Sequence, residues 1–369
     1  MKKTIYFIII FLVTLIIANK ISKQFLNQTK FEKSEHIKNL KIIYGEDFED
    51  YIQVYNYQSN AVRYQPLVEF REEVRNSKFV SVGDLGNRCN KNNLMICESP
   101  KGGINEIWVF GGSTVFGYGL KNNQTITAQL EKLVKNKRVI NFGQGFFNSN
   151  QSRIYFQNLL THLPEPHTAI FLEGFNDFKN HQIVNYAQPP KTALSDNYQK
   201  LIDNRKTSTN EKIYTWFIER FNRLNLVRLI KQKIYLNEKN TFQDSININN
   251  ISNAYIALID RLKINFKINK SIGEKFGIKV INILEPISLS KNHYSTSILP
   301  DSFLINFEND IIHYVKIYKM IEDKNDLLEV VDLNLVNLKI DKRMFIDRTH
   351  YSEEFTEEIA LKINEKLEF

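Results

Sequence analysis

A serine stands directly after the end of an apolar segment, a position where nucleophilic serines are commonly found. The segment Ile104–Phe110 is followed by Gly111-Gly112-Ser113-Thr114. The apolar run predicts a buried strand, the glycine pair allows a sharp turn, and the stretch from Thr125 to Lys135 has apolar residues at helical spacing. A strand-turn-helix junction exposes the serine hydroxyl above the sheet and directs backbone N–H groups toward an oxyanion formed there. Because Gly-Gly-Ser also occurs in ordinary surface turns, this segment alone leaves a purely structural role open.

Three later segments supply the other groups that a nucleophilic serine needs. The apolar runs Val139–Gly145 and Ala169–Asp177 both end in turns that contain glycine, and Asp347-Arg348-Thr349-His350 lies further along the chain. A serine nucleophile requires a base that takes its proton, a carboxylate that orients the base, and donors for the oxyanion. The sequence therefore predicts one site that contains Ser113 and His350.

The spacing of Asp347 and His350 suits a carboxylate and a base that act together. Three residues apart at the junction of a loop and a helix, the two side chains can lie on one side of the backbone. A lone Asp-x-x-His is more often a solvated loop, and the other segments favour the pair. Ser352 is the expected N-cap of the helix that follows. That helix is expected to hold two acidic residues in its first turn and three apolar residues on its inner face: Glu353, Glu354, Phe355, Ile359 and Ile363.

In their order and spacing these four segments resemble the blocks of the SGNH hydrolases, also called the GDSL-like family. The resemblance implies that Ser113 is the nucleophile, with Asp347 and His350 as the carboxylate and the base. It also implies that the side chain of Asn176, in Gly174-Phe175-Asn176-Asp177, donates to the oxyanion together with main-chain N–H groups. The main-chain donors would be Ser113 and a residue of the second segment.

Two departures from the family pattern affect this interpretation. The first block usually reads Gly-Asp-Ser, whereas Gly112 occupies the aspartate position here, as in a Gly-Gly-Ser-Thr branch of the family that resembles this chain. Counting from Asn141 places Phe146 where a glycine normally donates its backbone N–H, and Gly145 lies one residue earlier. Either amide can serve chemically, so both Gly145 and Phe146 remain candidates.

The order of the predicted elements favours an α/β fold with a parallel sheet covered on both faces. Ile251–Phe276 predicts a helix that ends at Gly277, and it is followed by a strand over 278–284 and a final strand near 344–346. Together with the resemblance, this predicts a three-layer α/β/α, flavodoxin-like sheet with a helical insertion at about 190–250. Sites in such sheets form at the carboxyl ends of the strands. The predicted positions that lie there are Ser113, residues 143–146, Asn176, Glu285 and His350.

The N-terminus predicts export or membrane attachment. Lys2-Lys3 precede an apolar run from Ile5 to Ala18 that only Thr14 interrupts. A signal peptide and an uncleaved transmembrane helix both fit this pattern, and the lack of a small-x-small cleavage site favours the helix. We therefore expect a single-pass protein of the cell membrane with its catalytic domain outside the cytoplasm, periplasmic or extracellular.

Two cysteines and the overall composition complete the prediction. Cys89 and Cys97 form a disulfide in an oxidising compartment or remain buried thiols, and the sequence leaves both open. The net charge of +8 is spread over 369 residues without a basic block, which argues against nucleic-acid binding. The histidines lack ligand spacing, so neither a metal nor another cofactor is expected. Three regions are expected: an anchor or signal segment over 1–20, a lead-in over 21–100 that packs on the catalytic domain, and the catalytic domain over 101–369.

Two functions of different classes follow. The first is an ester hydrolase or O-acyltransferase that forms an acyl-serine and acts on acylated cell-surface glycans or other esters. The alternative is a noncatalytic glycan-binding or polysaccharide-assembly protein with the same fold, which the departures at Gly112 and Phe146 would support. Polysaccharide-assembly proteins are expected partners in either case. Hydrolysis and transfer share the acyl-serine, so the sequence leaves the choice between them open.

Overall fold

The computed structural model describes residues 45–49, 62–77, 79–92, 97–178, 248–287, 314, 316–321, 330–332, 344–345 and 349–367. Chain contacts define two units, and the one formed by Glu49–Ala193 and Ile251–Phe369 contains the sheet and the predicted site. Three predicted features lie outside the described residues: the N-terminal membrane segment, the helical insertion up to residue 247, and Asp347. In the part of the chain that is described, no helix combines the length and apolar character that a bilayer span requires.

A short hairpin precedes a parallel sheet of five strands. The hairpin pairs β1 (Val62–Gln65) with β2 (Glu69–Glu72) in antiparallel fashion. The strands of the sheet are β3 (Gly103–Gly111), β4 (Arg138–Asn141), β5 (Pro166–Glu173), β6 (Lys279–Leu284) and β7 (Val330–Asp332). Their order is β4-β3-β5-β6-β7, and every neighbouring pair is parallel. This is the doubly wound order of flavodoxin-like sheets, with its switch point between β3 and β5, and the predicted fold class is confirmed to that extent.

Six α-helices have defined bounds within the described residues. They are α1 (Ser113–Phe116), α2 (Ile126–Leu133), α3 (Ser149–Leu159), α4 (Phe175–Phe178), α5 (Ile248–Phe276) and α6 (Glu353–Leu367). The glycine that ends α5, Gly277, has a φ of 69°, the left-handed conformation expected of a helix C-cap.

Alternating residues of the central strand β3 separate two packing layers, because successive side chains of a strand point to opposite faces. Ile107 and Val109 belong to an aliphatic core shared with buried residues of α2 and α6. Trp108 and Phe110 face an aromatic layer, where the Phe110 ring lies 5.0 Å from Phe171 and 5.4 Å from Phe156 of α3. Helix α5 adjoins α3, since Asn265 donates to the Ser149 hydroxyl at 2.8 Å. The sheet is therefore covered on both faces, as predicted.

The last strand differs from its prediction. The sequence places it near Met344-Phe345-Ile346, but the fifth strand of the described sheet is β7, and of the two described residues of that segment Phe345 forms an isolated antiparallel bridge to Tyr351. Met344 and Phe345 are apolar because they are buried in the aliphatic core beside α6. A short apolar run has the same composition in a strand as in a buried loop, which explains the error.

Candidate active site

Ser113 is the first residue of α1, directly after the carboxyl end of β3. The turn before it is tight, because a Cβ at Gly111 would lie 2.4 Å from the Leu172 carbonyl oxygen of β5. Only glycine fits that approach. The Ser113 side chain is partly exposed, and its Oγ lies 2.9 Å from Nε2 of His350. The structure therefore joins the predicted nucleophile and the predicted base in a hydrogen bond across 237 positions of sequence.

His350 is held in place by the start of α6. Ser352 accepts a hydrogen bond from the Phe355 N–H at 3.2 Å, so it is the N-cap that the sequence predicts. Helix α6 is also fixed to the turn before α2, because the Thr356 hydroxyl donates to the Gln124 carbonyl at 2.6 Å and the Gln124 amide donates to Glu353 at 2.7 Å. The base thus precedes a helix that is anchored at its first turn.

Tyr118 contacts the other side of the base. Its ring stacks on the His350 imidazole with 5.6 Å between centroids and 23° between planes. Its hydroxyl donates to Glu72 Oε1 at 3.4 Å. Burial and the nearby Glu72 carboxylate raise the pKa of Tyr118, so the hydroxyl stays protonated. Sequence analysis did not assign Tyr118 to the site, since an aromatic residue after a buried strand commonly belongs to the core.

Asn176 lies beside the nucleophile turn at the carboxyl end of β5. Its side-chain Nδ2 donates to the Phe147 carbonyl at 2.8 Å, which fixes the orientation of the amide. A Cβ at Gly112 would lie 2.7 Å from that same nitrogen. The absence of a side chain at Gly112 therefore leaves the space that the Asn176 amide occupies.

The structure separates the two candidate main-chain donors of the second block. The Gly145 N–H donates to Glu72 Oε1 at 3.1 Å, so it is directed to the hairpin. Phe146 has a φ of 65°, in the left-handed region that favours glycine. Glycine adopts this backbone conformation most readily, and the Phe146 side chain is half exposed. Phe146 therefore has the more glycine-like backbone of the two candidates.

Glu72 of β2 links the lead-in hairpin to the site. Its carboxylate is buried, accepts from Gly145 and Tyr118, and forms an ion pair with Arg75 at 2.6 Å. Burial raises the pKa of Glu72, and the Arg75 guanidinium opposes that shift. The Glu72 N–H donates to Gln144 at 2.7 Å. Sequence analysis missed Glu72, because nothing near it in the chain indicates a contact with a residue 73 positions away.

Arg88 stabilises the segment that follows Ser113 through hydrogen bonds to its carbonyl groups. Its buried guanidinium donates to the carbonyls of Phe116 and Gly117 at 2.6 and 2.5 Å and to that of Leu120, and it thereby satisfies the C-terminal end of α1. The next residue, Cys89, is joined by a disulfide to Cys97, with 5.2 Å between the Cα atoms. The alternative of two free thiols is therefore excluded in this structure.

Comparisons with known proteins give remote structural similarities. No protein-family model matches the sequence, and no characterised protein sequence matches it. Among solved structures, a protein of the G-D-S-L family from Desulfitobacterium hafniense has 12% identity and a TM-score of 0.32, covering 71% of this chain and 98% of its own. A member of the lipolytic G-D-S-L family from Veillonella parvula has 13% identity and a TM-score of 0.28, with 70% and 96% coverage. The SGNH-hydrolase family esterase AlinE4 has 15% identity and a TM-score of 0.30, with 73% and 97% coverage.

The described residues contain no group of three or more histidine, cysteine, aspartate or glutamate side chains placed to hold a metal ion. The groups that the structure does bring together are a serine hydroxyl, an imidazole, a side-chain amide and a glycine-like turn at the carboxyl edge of the sheet. These are the parts of a serine nucleophile site.

Proposed function

We propose that this protein is a serine-dependent ester hydrolase or O-acyltransferase of the SGNH type. The observation that carries the proposal is the 2.9 Å contact between Ser113 Oγ and His350 Nε2. This distance lies within the range at which a base can take a proton from a nucleophile. The contact sits at the switch point of a doubly wound sheet, where such folds place their sites.

The proposed reaction has two steps. Ser113 Oγ attacks an ester carbonyl while His350 takes its proton and then gives it to the leaving alkoxide, and an acyl-serine results. Asn176, with the main-chain N–H groups of Ser113 and Phe146, stabilises the tetrahedral oxyanion. In the second step His350 activates water or a sugar hydroxyl, which attacks the acyl-serine and frees Ser113. Asp347 is the predicted carboxylate that orients His350 and stabilises the imidazolium.

We further propose that the catalytic domain acts outside the cytoplasm on acylated cell-surface glycans, next to polysaccharide-assembly proteins. The basic and apolar N-terminus supports membrane attachment. The Cys89–Cys97 disulfide supports an oxidising compartment, where such bonds persist. Fractionation of cells followed by protease treatment of intact cells or spheroplasts tests this, and protein recovered from the cytosolic fraction would contradict it.

The noncatalytic alternative loses most of its support. It depends on Gly112 and Phe146 as departures from the family pattern. Gly112 leaves the space occupied by the Asn176 amide, and Phe146 adopts the backbone conformation of the glycine that it replaces. Both departures are compatible with a working site.

A fluorophosphonate probe and p-nitrophenyl acetate test the proposal on the full-length chain. The probe loses fluoride to an activated serine, so covalent labelling at Ser113 is expected, together with hydrolysis of the ester. Ser113→Ala should abolish both, and Ser99→Ala, on an exposed loop, is the matched control. Labelling and turnover that persist in Ser113→Ala would contradict the proposal. Repeating the assay with a glycan acceptor separates transfer from hydrolysis.

A further inference from the structure

Glu285 contacts the residue that follows Ser113 and the residue that precedes Asn176. It lies directly after the carboxyl end of β6 and is buried. Its Oε2 accepts a hydrogen bond from the Thr114 hydroxyl at 2.8 Å, and its Oε1 accepts one from the Phe175 N–H at 2.6 Å. Thr114 follows Ser113 in sequence, and Phe175 precedes Asn176. One carboxyl group therefore links the nucleophile turn to the oxyanion turn.

The position of Glu285 is itself fixed by its backbone. Its N–H donates to the Glu173 carbonyl at 3.0 Å, and its carbonyl accepts from the Tyr318 hydroxyl at 2.9 Å. The backbone of Glu285 is thus fixed at the end of β6, and its side chain reaches the turn after β3 and the turn after β5. A buried carboxyl group is costly unless hydrogen bonds satisfy it, and the bonds from Thr114 and Phe175 give each of its two oxygens a donor.

We infer that Glu285 is a positioning residue that sets the distance between the Ser113 hydroxyl and the Asn176 amide. The inference rests on the proposed function, because that distance matters only if an oxyanion forms between the two groups. Displacing a catalytic group by about 1 Å can lower a rate by roughly a hundredfold. Holding both turns from one side chain prevents such a displacement while Glu285 itself stays out of contact with the substrate.

Variants of Glu285 in the full-length chain separate positioning by hydrogen bonds from a structural or an electrostatic role. Glu285→Leu removes both bonds and should lower kcat about a hundredfold with KM nearly unchanged. Glu285→Gln should retain activity within about threefold of the wild type. Its oxygen can accept from Phe175 N–H while its amide donates to the Thr114 hydroxyl, which accepts as well as donates.

A second pair of variants keeps the inference testable if Glu285→Leu fails to fold. Thr114→Val keeps the shape of the side chain but removes one of the two bonds, and it should lower kcat about tenfold, whereas Thr114→Ser should restore the rate. An unchanged kcat in Thr114→Val or Glu285→Leu, or a loss confined to KM, would overturn the inference. Equal losses in Glu285→Gln and Glu285→Leu would also overturn it, because they would assign the effect to charge.

Measurements on the wild-type chain distinguish failure of the proposed function from failure of the positioning role of Glu285. Wild-type protein that neither hydrolyses p-nitrophenyl acetate nor reacts with the fluorophosphonate probe overturns the proposed function, and the positioning role with it. Wild-type protein that is active, beside Glu285 and Thr114 variants with normal kcat, overturns the positioning role alone.

Discussion

The side-chain amide of Asn176 carries two N–H groups, and the amide nitrogen already donates to the Phe147 carbonyl at 2.8 Å. That bond holds the amide in one orientation, so a second N–H is available in a fixed direction without any rearrangement during the reaction. Donors that are oriented before charge develops stabilise a transition state more than mobile ones do. The Phe147 carbonyl is therefore expected to contribute to oxyanion stabilisation, because it fixes the orientation of the Asn176 amide.

Removing this amide should affect the rate and leave binding unchanged. Asn176→Ala is expected to lower kcat by about a hundredfold or more with little change in KM, because the donor is used mainly in the transition state. Steady-state kinetics on p-nitrophenyl acetate provides the measurement. A change that appears in KM alone would make Asn176 a substrate-binding residue.

Gly112 offers a test of the space around the same amide. Gly112→Ala places a Cβ 2.7 Å from Asn176 Nδ2, and the amide is the end of a side chain, so it is expected to move while the backbone stays. We predict a loss in kcat of roughly tenfold or more with a thermal midpoint close to that of the wild type. Gly112→Asp introduces a larger side chain at the same place and should lower kcat at least as much. Full activity in Gly112→Ala would show that the Asn176 amide is not needed where the structure places it.

Helix α6 positions His350, the proposed base. The helix carries no residue that reacts, yet its N-cap Ser352 lies two positions after His350, and its first turn is bonded to the segment before α2. Any fraying of this first turn moves the imidazole relative to Ser113. We therefore expect the stability of this helix end and the activity of the proposed site to be coupled.

The cap provides a direct measurement of that coupling. Ser352→Ala should lower the free energy of unfolding by about 1 kcal/mol, because the Phe355 N–H loses its partner. It should also reduce kcat. Ser352→Asp, which keeps an acceptor at the N-cap and suits the helix dipole, is the matched control and should remain close to the wild type. Loss of stability at unchanged kcat would show that the start of α6 does not control His350.

Elements with clear local signals could be predicted from the sequence. The strands β3, β5 and β6 and the helices α2, α5 and α6 lie within a few residues of their predicted bounds, because apolar periodicity and glycine boundaries mark them. β7 was missed, since a three-residue strand has no periodicity of its own. The pair of Ser113 and His350 was predicted from motif spacing. The supports of the pair were not, because Glu72, Arg88 and Tyr118 act through contacts that only the folded chain creates.

Three buried carboxyl groups at the carboxyl edge of the sheet influence one another electrostatically. Burial and neighbouring carboxylates raise the pKa of Glu173 well above its usual range. Loss of solvent also raises the pKa of Asp177 to about 6 and that of Glu285 to about 7, although hydrogen bonds from Ser149 and from Thr114 oppose the two shifts. The folded protein therefore keeps protons that the unfolded chain releases near pH 4.

The direction of these shifts sets the dependence of stability on pH. A pKa that is higher in the folded than in the unfolded state makes the free energy of unfolding decline as pH rises from about 4 through 6 and 7. We predict that the free energy of unfolding is higher at pH 5 than at pH 8 by more than about 1 kcal/mol. The urea midpoint should be correspondingly higher at pH 5. Glu173→Gln removes one of the titrating groups and should make the difference smaller. A midpoint that increases from pH 5 to pH 8 would contradict the prediction.

Ser113 and His350 are 237 positions apart, so they are synthesised at different times. A ribosome makes the nucleophile turn, the central strand and most of the sheet well before it makes the base, and α6 must then dock on α2 before His350 reaches Ser113. On the proposed mechanism, a chain that is still being synthesised would be unable to acylate Ser113 with esters that it meets before α6 has docked. Reactivity toward a serine-directed probe would consequently report the last step of folding, and its appearance after dilution from denaturant would time the docking of α6.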